Sequence, residues 1–108
     1  MAGGLAQGIG GAMLEEFVYS EDGQPLATSF MDYLLPTAME MPEAQFISTE
    51  EFPSPHNPLG VKGAGEGGIT AAGAALANAV SNALGVEVKK LPLKPDYVLE
   101  LVKQSRLV

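Results

Sequence analysis

Apolar residues recur at spacings of three and four near the start of the chain, at Leu5, Ile9, Met13, Leu14 and Phe17. This spacing predicts a helix of about four turns with one apolar face. Five glycines lie in the same stretch, and each interior glycine costs a helix about 0.5–1 kcal/mol relative to alanine. We therefore expect close packing to stabilise this helix, with the glycines allowing a second backbone or a ligand to approach.

Strand patterns dominate the next stretch. Residues 17–20 predict a strand, an Asp-Gly pair at residues 22–23 predicts a hairpin turn, and residues 26–33 predict the returning strand. Residues 44–49 are a candidate third strand. The prolines between residues 52 and 60 predict an extended, stiff connector.

Helical spacing returns in the second half of the chain. Residues 69–84 are rich in alanine, and their larger apolar residues share one face, which predicts a helix buried on more than one side and capped by Gly85. Residues 86–90 predict a short strand, and Pro95 predicts the first turn of a last helix that reaches about Gln104. The predicted class is α+β: a small mixed domain with a glycine-rich helix, a β-hairpin or small sheet, a buried alanine-rich helix and a C-terminal helix.

Composition narrows the possible partners. The 108 residues suit one small domain with a modest core. A net charge of −7 argues against nucleic acid and anionic membranes as partners. Without cysteine there is neither a disulfide nor a thiolate metal site, which is compatible with a cytoplasmic location. No apolar run is long enough to predict a membrane span, and no signal-peptide pattern opens the chain.

The glycine-rich loop at residues 61–68 allows three interpretations. It can be a plain turn before a helix. Its glycines also match the dinucleotide pattern G-x-G-x-x-G, and Glu87 follows at a suitable distance. That pattern requires a buried strand before the first glycine, and the proline-rich PSPHNPLGVK does not suit one.

The third interpretation assigns chemistry to Glu66. At the start of the predicted helix its carboxylate is favoured by the helix dipole, and its glycine neighbours leave room for a reactant. Glu66 is then a candidate general base, and the alternative is a solvated residue at a helix start. Elsewhere, His56 has no second metal ligand at a suitable spacing. Glu15 and Glu16 predict a helix surface and one buried hydrogen-bonding acid.

Two stretches resemble the molybdenum hydroxylases, the large subunits of the xanthine dehydrogenase, aldehyde oxidase and aerobic carbon monoxide dehydrogenase family. GVKGAGEGGI resembles the loop that carries the family's active-site glutamate, and residues 3–42 have its Q-G-x-G, A-x-x-E-E-x-x-Y and D-G pattern. SPHNPLGVKG at residues 54–63 is closest to the carbon monoxide dehydrogenase-like branch. The resemblance implies that residues 1–108 are a C-terminal molybdopterin-binding subdomain of a longer subunit.

The resemblance also implies site residues. Glu66 would be the catalytic base that takes a proton from a metal-bound hydroxyl, and no residue of the chain is assigned as a direct metal ligand. The cofactor would be molybdenum with molybdopterin, which the chain shares with other segments, and the carbon monoxide branch favours the cytosine dinucleotide form. Six residues would line the cofactor: Gln7, Gly8, Lys62, Gly63, Ala64 and Gly65.

The implied activity is oxidation of a small substrate, such as carbon monoxide or an aldehyde, with water as the oxygen source. The implied partners are the remainder of the molybdenum subunit and iron–sulfur and flavin subunits. We expect this chain alone to be inactive and to form homo-oligomers or hetero-oligomers through the exposed faces of its glycine and alanine helices. The alternative function is a non-catalytic assembly or binding module that retains the fold.

Overall fold

Three helices form the regular secondary structure of residues 1–105, which the computed structural model describes. They are α1 (Ala2–Met13), α2 (Ala72–Leu84) and α3 (Pro95–Gln104). Residues 14–71, between α1 and α2, are turns and irregular backbone. The chain is therefore helix-rich, and the predicted hairpin or small sheet is not formed as strands in the described residues.

The hairpin exists only as its turn. Tyr19 and Pro25 form an isolated antiparallel bridge, and the Leu26 N–H donates to the Val18 carbonyl at 2.8 Å. Gly23 takes the left-handed φ of 81° that the Asp-Gly pair predicts. Pro25 has no N–H to extend the ladder, and a two-stranded hairpin without a neighbouring strand is only marginally stable. The expected strands at residues 44–49 and 86–90 are irregular as well.

The glycine helix α1 packs directly on α2. A Cβ built on Gly8 would overlap the Cβ of Ala72, so the two helices approach at a distance that only glycine allows. The helix ends at Met13 with Leu14 as its C-cap, which leaves Phe17 outside the predicted apolar stripe and 61% exposed. The prediction of a closely packed glycine helix is confirmed, and its length was overestimated by about one turn.

The core lies between α2 and α3. Leu93, Tyr97 and Leu101 are its buried centre. Against them pack partly buried residues that include one face of α2, at Leu76, Val80 and Leu84, as the apolar spacing predicted. Gly85 caps α2 with a φ of 67°, and α3 begins at Pro95 with Asp96 in its first turn, both also as predicted. The Leu93 N–H donates to the Ala12 carbonyl at 2.7 Å, which ties the entry of α3 to the end of α1.

Most exposed apolar side chains lie in the irregular segment between α1 and α2. Phe30, Met31 and Ile47 are 76%, 88% and 84% exposed. The radius of gyration is 17.7 Å, whereas a compact domain of about 100 residues has about 13 Å.

The two helices α1 and α2 contact each other, but α2 buries only Ala72 and its outer face stays exposed. The face of α1 at Gly3, Gln7 and Gly11 is exposed as well. The prediction that the alanine-rich helix is buried on more than one side is therefore wrong, and the expectation that α1 and α2 present a partner face stays a prediction. Most of the exposed apolar side chains are in residues 17–61.

None of the helices within the described range is long and apolar enough to cross a membrane.

Candidate functional site

Glu66 lies in a turn and not in the first turn of a helix. Its carbonyl accepts the N–H of Ile69 at 3.1 Å, and the Ala72 N–H donates to the Ile69 carbonyl, so residues 66–71 form successive turns before α2 starts. The predicted helix start at residue 69 is therefore three residues too early. A helix dipole acts within about one turn of the helix end, and Glu66 is six residues ahead of Ala72, so the expected dipole stabilisation of its carboxylate is not supported.

Glycine contacts hold the loop against α1. A Cβ built on Gly4 would stand 3.2 Å from both the Gly65 carbonyl oxygen and the Gly68 nitrogen. A Cβ on Gly68 would stand 2.6 Å from the Met1 carbonyl oxygen and 2.7 Å from the Leu5 nitrogen. The loop and the helix thus touch backbone to backbone on both sides of Glu66. A side chain at either glycine would push the loop off the helix.

A second small-residue face of α1 is open. Gly3, Gln7 and Gly11 are four residues apart, so they are neighbours on one side of the helix, and all three are exposed. A Cβ on Gly3 or Gly11 would meet no atom within 4 Å. The side-chain amide of Gln7 has no hydrogen-bond partner among residues 1–105. The contacts of this chain explain Gly4 and Gly8 but leave the glycines beside Gln7 unexplained.

The glycine loop offers unused hydrogen-bond donors. Within the described chain, the backbone N–H groups of residues 62–68 have no acceptor. Residues 62–66 are exposed, and a Cβ on Gly63 or Gly65 would meet open space. Consecutive free N–H groups on a glycine-rich backbone suit anionic or oxygen-rich ligands. The carboxylate of Glu66, in the same loop, is exposed and has no side-chain partner among the described residues.

The predicted cofactor residues fall into two groups. Lys62, Gly63 and Ala64 line a cleft of about 590 Å³, opposite residues 48–53. Gln7, Gly8, Gly65 and Glu66 do not line this cleft. Gly8 is buried against Ala72 and cannot contact a cofactor through an exposed surface here. The structure therefore brings Gly65 to α1 through Gly4 and places residues 62–64 beside a separate cleft.

The donor chemistry of these residues fits a pterin cofactor. The free N–H groups of the loop and the amide of Gln7 are of the kinds that bind the oxygen and nitrogen edges of such a group. The open face at Gly3 and Gly11 is a cradle that added Cβ atoms would fill. Residues 1–105 contain no cluster of three or more His, Asp or Glu side chains placed to hold a metal ion. What the loop and α1 offer is hydrogen-bond donors.

The connector that enters the loop is folded back, whereas the prolines predicted an extended one. The Ser54 N–H donates to the Gly60 carbonyl at 2.9 Å, and Gly60 has a φ of 67°. The side chain of Asn57 bonds to both backbone groups of Val61. Proline spacing could not reveal this closure, because it depends on a glycine in the left-handed region and on one amide side chain.

Two polar contacts fix the segment after α1, and local patterns did not predict either partner. The Tyr33 hydroxyl donates to Glu15 Oε2 at 2.7 Å, so Glu15 is the expected hydrogen-bonding acid. It is only partly buried, and Glu15 and Glu16 both lie beyond the end of α1 rather than on a helix surface. This hydrogen bond, with some burial and the charge of Glu15, raises the pKa of Tyr33. Lys94 Nζ pairs with Glu16 Oε2 at 2.5 Å, which raises the pKa of Lys94. Contacts over such sequence separations carry no local sequence signal.

Comparison with known proteins finds a matching family model and similar dehydrogenase subunits. The family model described as molybdopterin cofactor-binding domain matches residues 1–42. The 6-hydroxypseudooxynicotine dehydrogenase complex subunit gamma of Paenarthrobacter nicotinovorans is 56% identical over 89% of this chain and 12% of its own length. The carbon monoxide dehydrogenase large chain of Afipia carboxidovorans is 43% identical over 75% of this chain and 10% of its own.

A solved structure agrees over almost the whole chain. The crystal structure of quinoline 2-oxidoreductase from Pseudomonas putida 86 matches with a TM-score of 0.82 and 36% identity, over 96% of this chain and 14% of that one. The chain thus spans about one eighth of the length of the proteins that it matches.

Proposed function

This chain belongs to the family of molybdenum-binding large subunits that includes the carbon monoxide dehydrogenase large chain and the xanthine dehydrogenase molybdenum-binding subunit, and we propose that it supplies a general base and part of the pterin pocket to a molybdenum hydroxylase. Residues 1–108 are, in this proposal, a C-terminal molybdopterin-binding subdomain of that subunit. The chain alone is inactive, because it contributes only one part of the site.

One observation carries the proposal: Glu66 lies in a loop with unused N–H donors that glycine contacts hold against α1. The backbone of residues 62–65 and the amide of Gln7 would bind the cofactor's polar edges. Gly3 and Gly11 leave the face around Gln7 open to a flat ligand. Gly8, which the family pattern also assigns to the cofactor, would act indirectly by allowing α1 to approach α2.

Glu66 acts in this proposal as a proton acceptor. Molybdenum, when bound, supplies the two-electron redox chemistry and makes water more acidic. The Glu66 carboxylate accepts a proton at one oxygen from the water-derived nucleophile as that nucleophile attacks the substrate carbon. Its freedom from other side chains supports the role, because no hydrogen bond within the described chain has to break first. The remainder of the subunit encloses the carboxylate and excludes bulk water.

The substrate is a small molecule oxidised with water as the oxygen source. Carbon monoxide or an aldehyde is one class, which the resemblance of residues 54–63 to the carbon monoxide branch favours. An aromatic nitrogen heterocycle is the second class, since the 56% identical relative is named for 6-hydroxypseudooxynicotine and the matched crystal structure for quinoline. We propose the cytosine dinucleotide form of molybdopterin for either class.

The assembly follows from the exposed apolar segment. Residues 17–61 pack in this proposal against the remainder of the molybdenum subunit, where the incipient hairpin at residues 18–26 gains the neighbouring strands that it lacks here. Iron–sulfur and flavin subunits complete the electron path, and the complex is cytoplasmic. The exposure of Phe30, Met31 and Ile47 supports a covering partner, because packing against a partner would remove these large apolar side chains from water.

The test is Glu66→Gln in the complete subunit, with Glu100→Gln as the matched control on the exposed side of α3. Loss of the base should lower kcat by about 10²–10⁴-fold, while molybdenum and pterin content stay at the level of the unmodified protein. The control should be fully active. Full activity of Glu66→Gln would reject the catalytic role and favour the non-catalytic assembly module.

A further inference from the structure

Asn57 closes the connector that leads into the glycine loop. Its Oδ1 accepts the Val61 N–H at 3.0 Å, and its Nδ2 donates to the Val61 carbonyl at 2.9 Å. The two bonds require an acceptor and a donor at opposite ends of one amide, so a single orientation of the side chain satisfies both. The side-chain amide thus makes the same two hydrogen bonds to Val61 that a backbone peptide group of a paired strand would make.

Backbone hydrogen bonds close the same segment from within. The Gly60 N–H donates to the Asn57 carbonyl at 3.1 Å, and the Ser54 N–H donates to the Gly60 carbonyl at 2.9 Å. A Cβ on Gly60 would stand 2.8 Å from the Cβ of Pro53, so the two arms of the closed segment touch. Residues 53–61 therefore form a tethered unit that ends at Val61.

The loop of the proposed site begins at the next residue. Residues 62–68 donate no backbone hydrogen bond, so their position depends on other contacts. Gly65 and Gly68 are held by their contacts with α1, whereas a Cβ on Gly63 would meet open space. The first residues of the loop therefore take their position from the bonds of Asn57 to Val61.

We propose that Asn57 is a positioning residue, which fixes the entry of the glycine loop and thereby, together with the contact of Gly65 with Gly4, sets where the free N–H groups and Glu66 stand. This inference rests on the proposed function of Glu66. Aspartate at position 57 would keep the acceptor but would put a charge beside the Val61 carbonyl and lose the donor. Leucine has nearly the shape of asparagine but makes neither bond.

The experiment compares Asn57→Asp and Asn57→Leu with Asn78→Asp in the native protein that carries this chain. Asn78 is an exposed residue of α2 whose side chain has no hydrogen bond within the described range, so it controls for the added charge. Amide hydrogen exchange at Gly60 and Val61 reports the tether without depending on activity. We expect exchange at Val61 to accelerate at least about tenfold in Asn57→Leu, which loses the acceptor, and by less in Asn57→Asp, which keeps it, and to stay unchanged in the control.

Steady-state kinetics of the Asn57 variants tests whether Asn57 positions Glu66. We expect kcat to fall by about tenfold to a hundredfold, with KM changed far less and molybdenum content retained, since displacing a reactive group by about 1 Å costs that much. Unchanged exchange at Val61 in Asn57→Leu would overturn the tether. Accelerated exchange with full activity would overturn the positioning role. Loss of metal together with a global rise in exchange in both variants would also overturn it, because Asn57 would then be needed for folding.

The parallel Glu66→Gln variant separates the two proposals. If that variant is active, the proposed function fails, while hydrogen exchange at Val61 still decides whether the tether exists. If it is inactive and Asn57→Leu is fully active although exchange at Val61 is accelerated, only the positioning role fails.

Discussion

Gly4 of α1 and Gly65 of the glycine loop are in backbone contact, with the Gly65 carbonyl oxygen 3.2 Å from the place where a Gly4 side chain would begin. Glu66 is the next residue along the chain. The position of the proposed base is therefore set by how closely a helix backbone and a loop backbone can approach. Two predictions concern the glycines of α1, one on each of its faces.

Gly4→Ala should displace the loop. The added methyl group would stand within 3.2–3.3 Å of three backbone atoms that cannot rotate away, so we expect a loss of stability of about 1–3 kcal/mol. Thermal unfolding measures the loss, and faster hydrogen exchange at residues 69 and 72 locates it. Unchanged stability would show that the loop is not held by this contact.

Gly11→Ala should have opposite effects on stability and on cofactor binding. Its Cβ meets no atom of the described chain, so we expect the native protein to gain about 0.5–1 kcal/mol of stability from better helix propensity. If the face around Gln7 receives the cofactor, the same change should lower the pterin content of the complete subunit. A gain in stability with full pterin content would remove Gln7 from the proposed pocket.

Tyr33→Phe should weaken the attachment of the segment after α1. Because the bond to Glu15 raises the pKa of Tyr33 above its ordinary value of 10.0, the stabilisation is complete below pH 10.0 and is lost as the pH rises through the raised value. We expect a lower Tm at neutral pH and a smaller drop in Tm above pH 10.0. An alkaline drop equal to that of the unmodified protein would assign it to other groups, such as Lys94.

The two leucines of α3 give a direct test of the core. Leu101 is 2% exposed and Leu99 is 54% exposed. Leu101→Ala should cost about 2–5 kcal/mol of stability because it leaves a cavity among Leu93, Tyr97 and the α2 face. Leu99→Ala, the matched control on the same helix, should change stability by less than about 0.5 kcal/mol. Equal effects in a denaturant titration would place the core elsewhere.

The sequence predicted best those elements whose causes are local. Pro95 and Asp96 mark the first turn of α3, and Gly85 provides the left-handed cap of α2, because a single residue determines each of these conformations. Strands need partners that a local pattern does not supply. The Asp-Gly turn at residues 22–23 formed as predicted, while the flanking strands did not extend beyond one bridge.

The sequence marks the candidate loop but does not predict how the loop is arranged. The glycine loop and Glu66 stand out in the sequence, whereas the contact of Gly65 with Gly4 joins segments about 60 residues apart. The contacts of Asn57 were not predicted, because its two bonds to Val61 form only in the folded-back connector. The prolines had predicted an extended connector instead. The assignment of Glu66 to a helix start failed because the i→i+3 bonds of residues 66–72 compete with helical ones.

The bond from Leu93 to Ala12 and the pair of Lys94 with Glu16, which joins residues 78 positions apart, have a consequence for biosynthesis. The end of α1 can acquire these partners only after residue 94 has left the ribosome. Until then, α1 can pack on α2 but lacks the two bonds that fix its C-terminal end. The end of α1 therefore becomes fully ordered only after the start of α3 has been made.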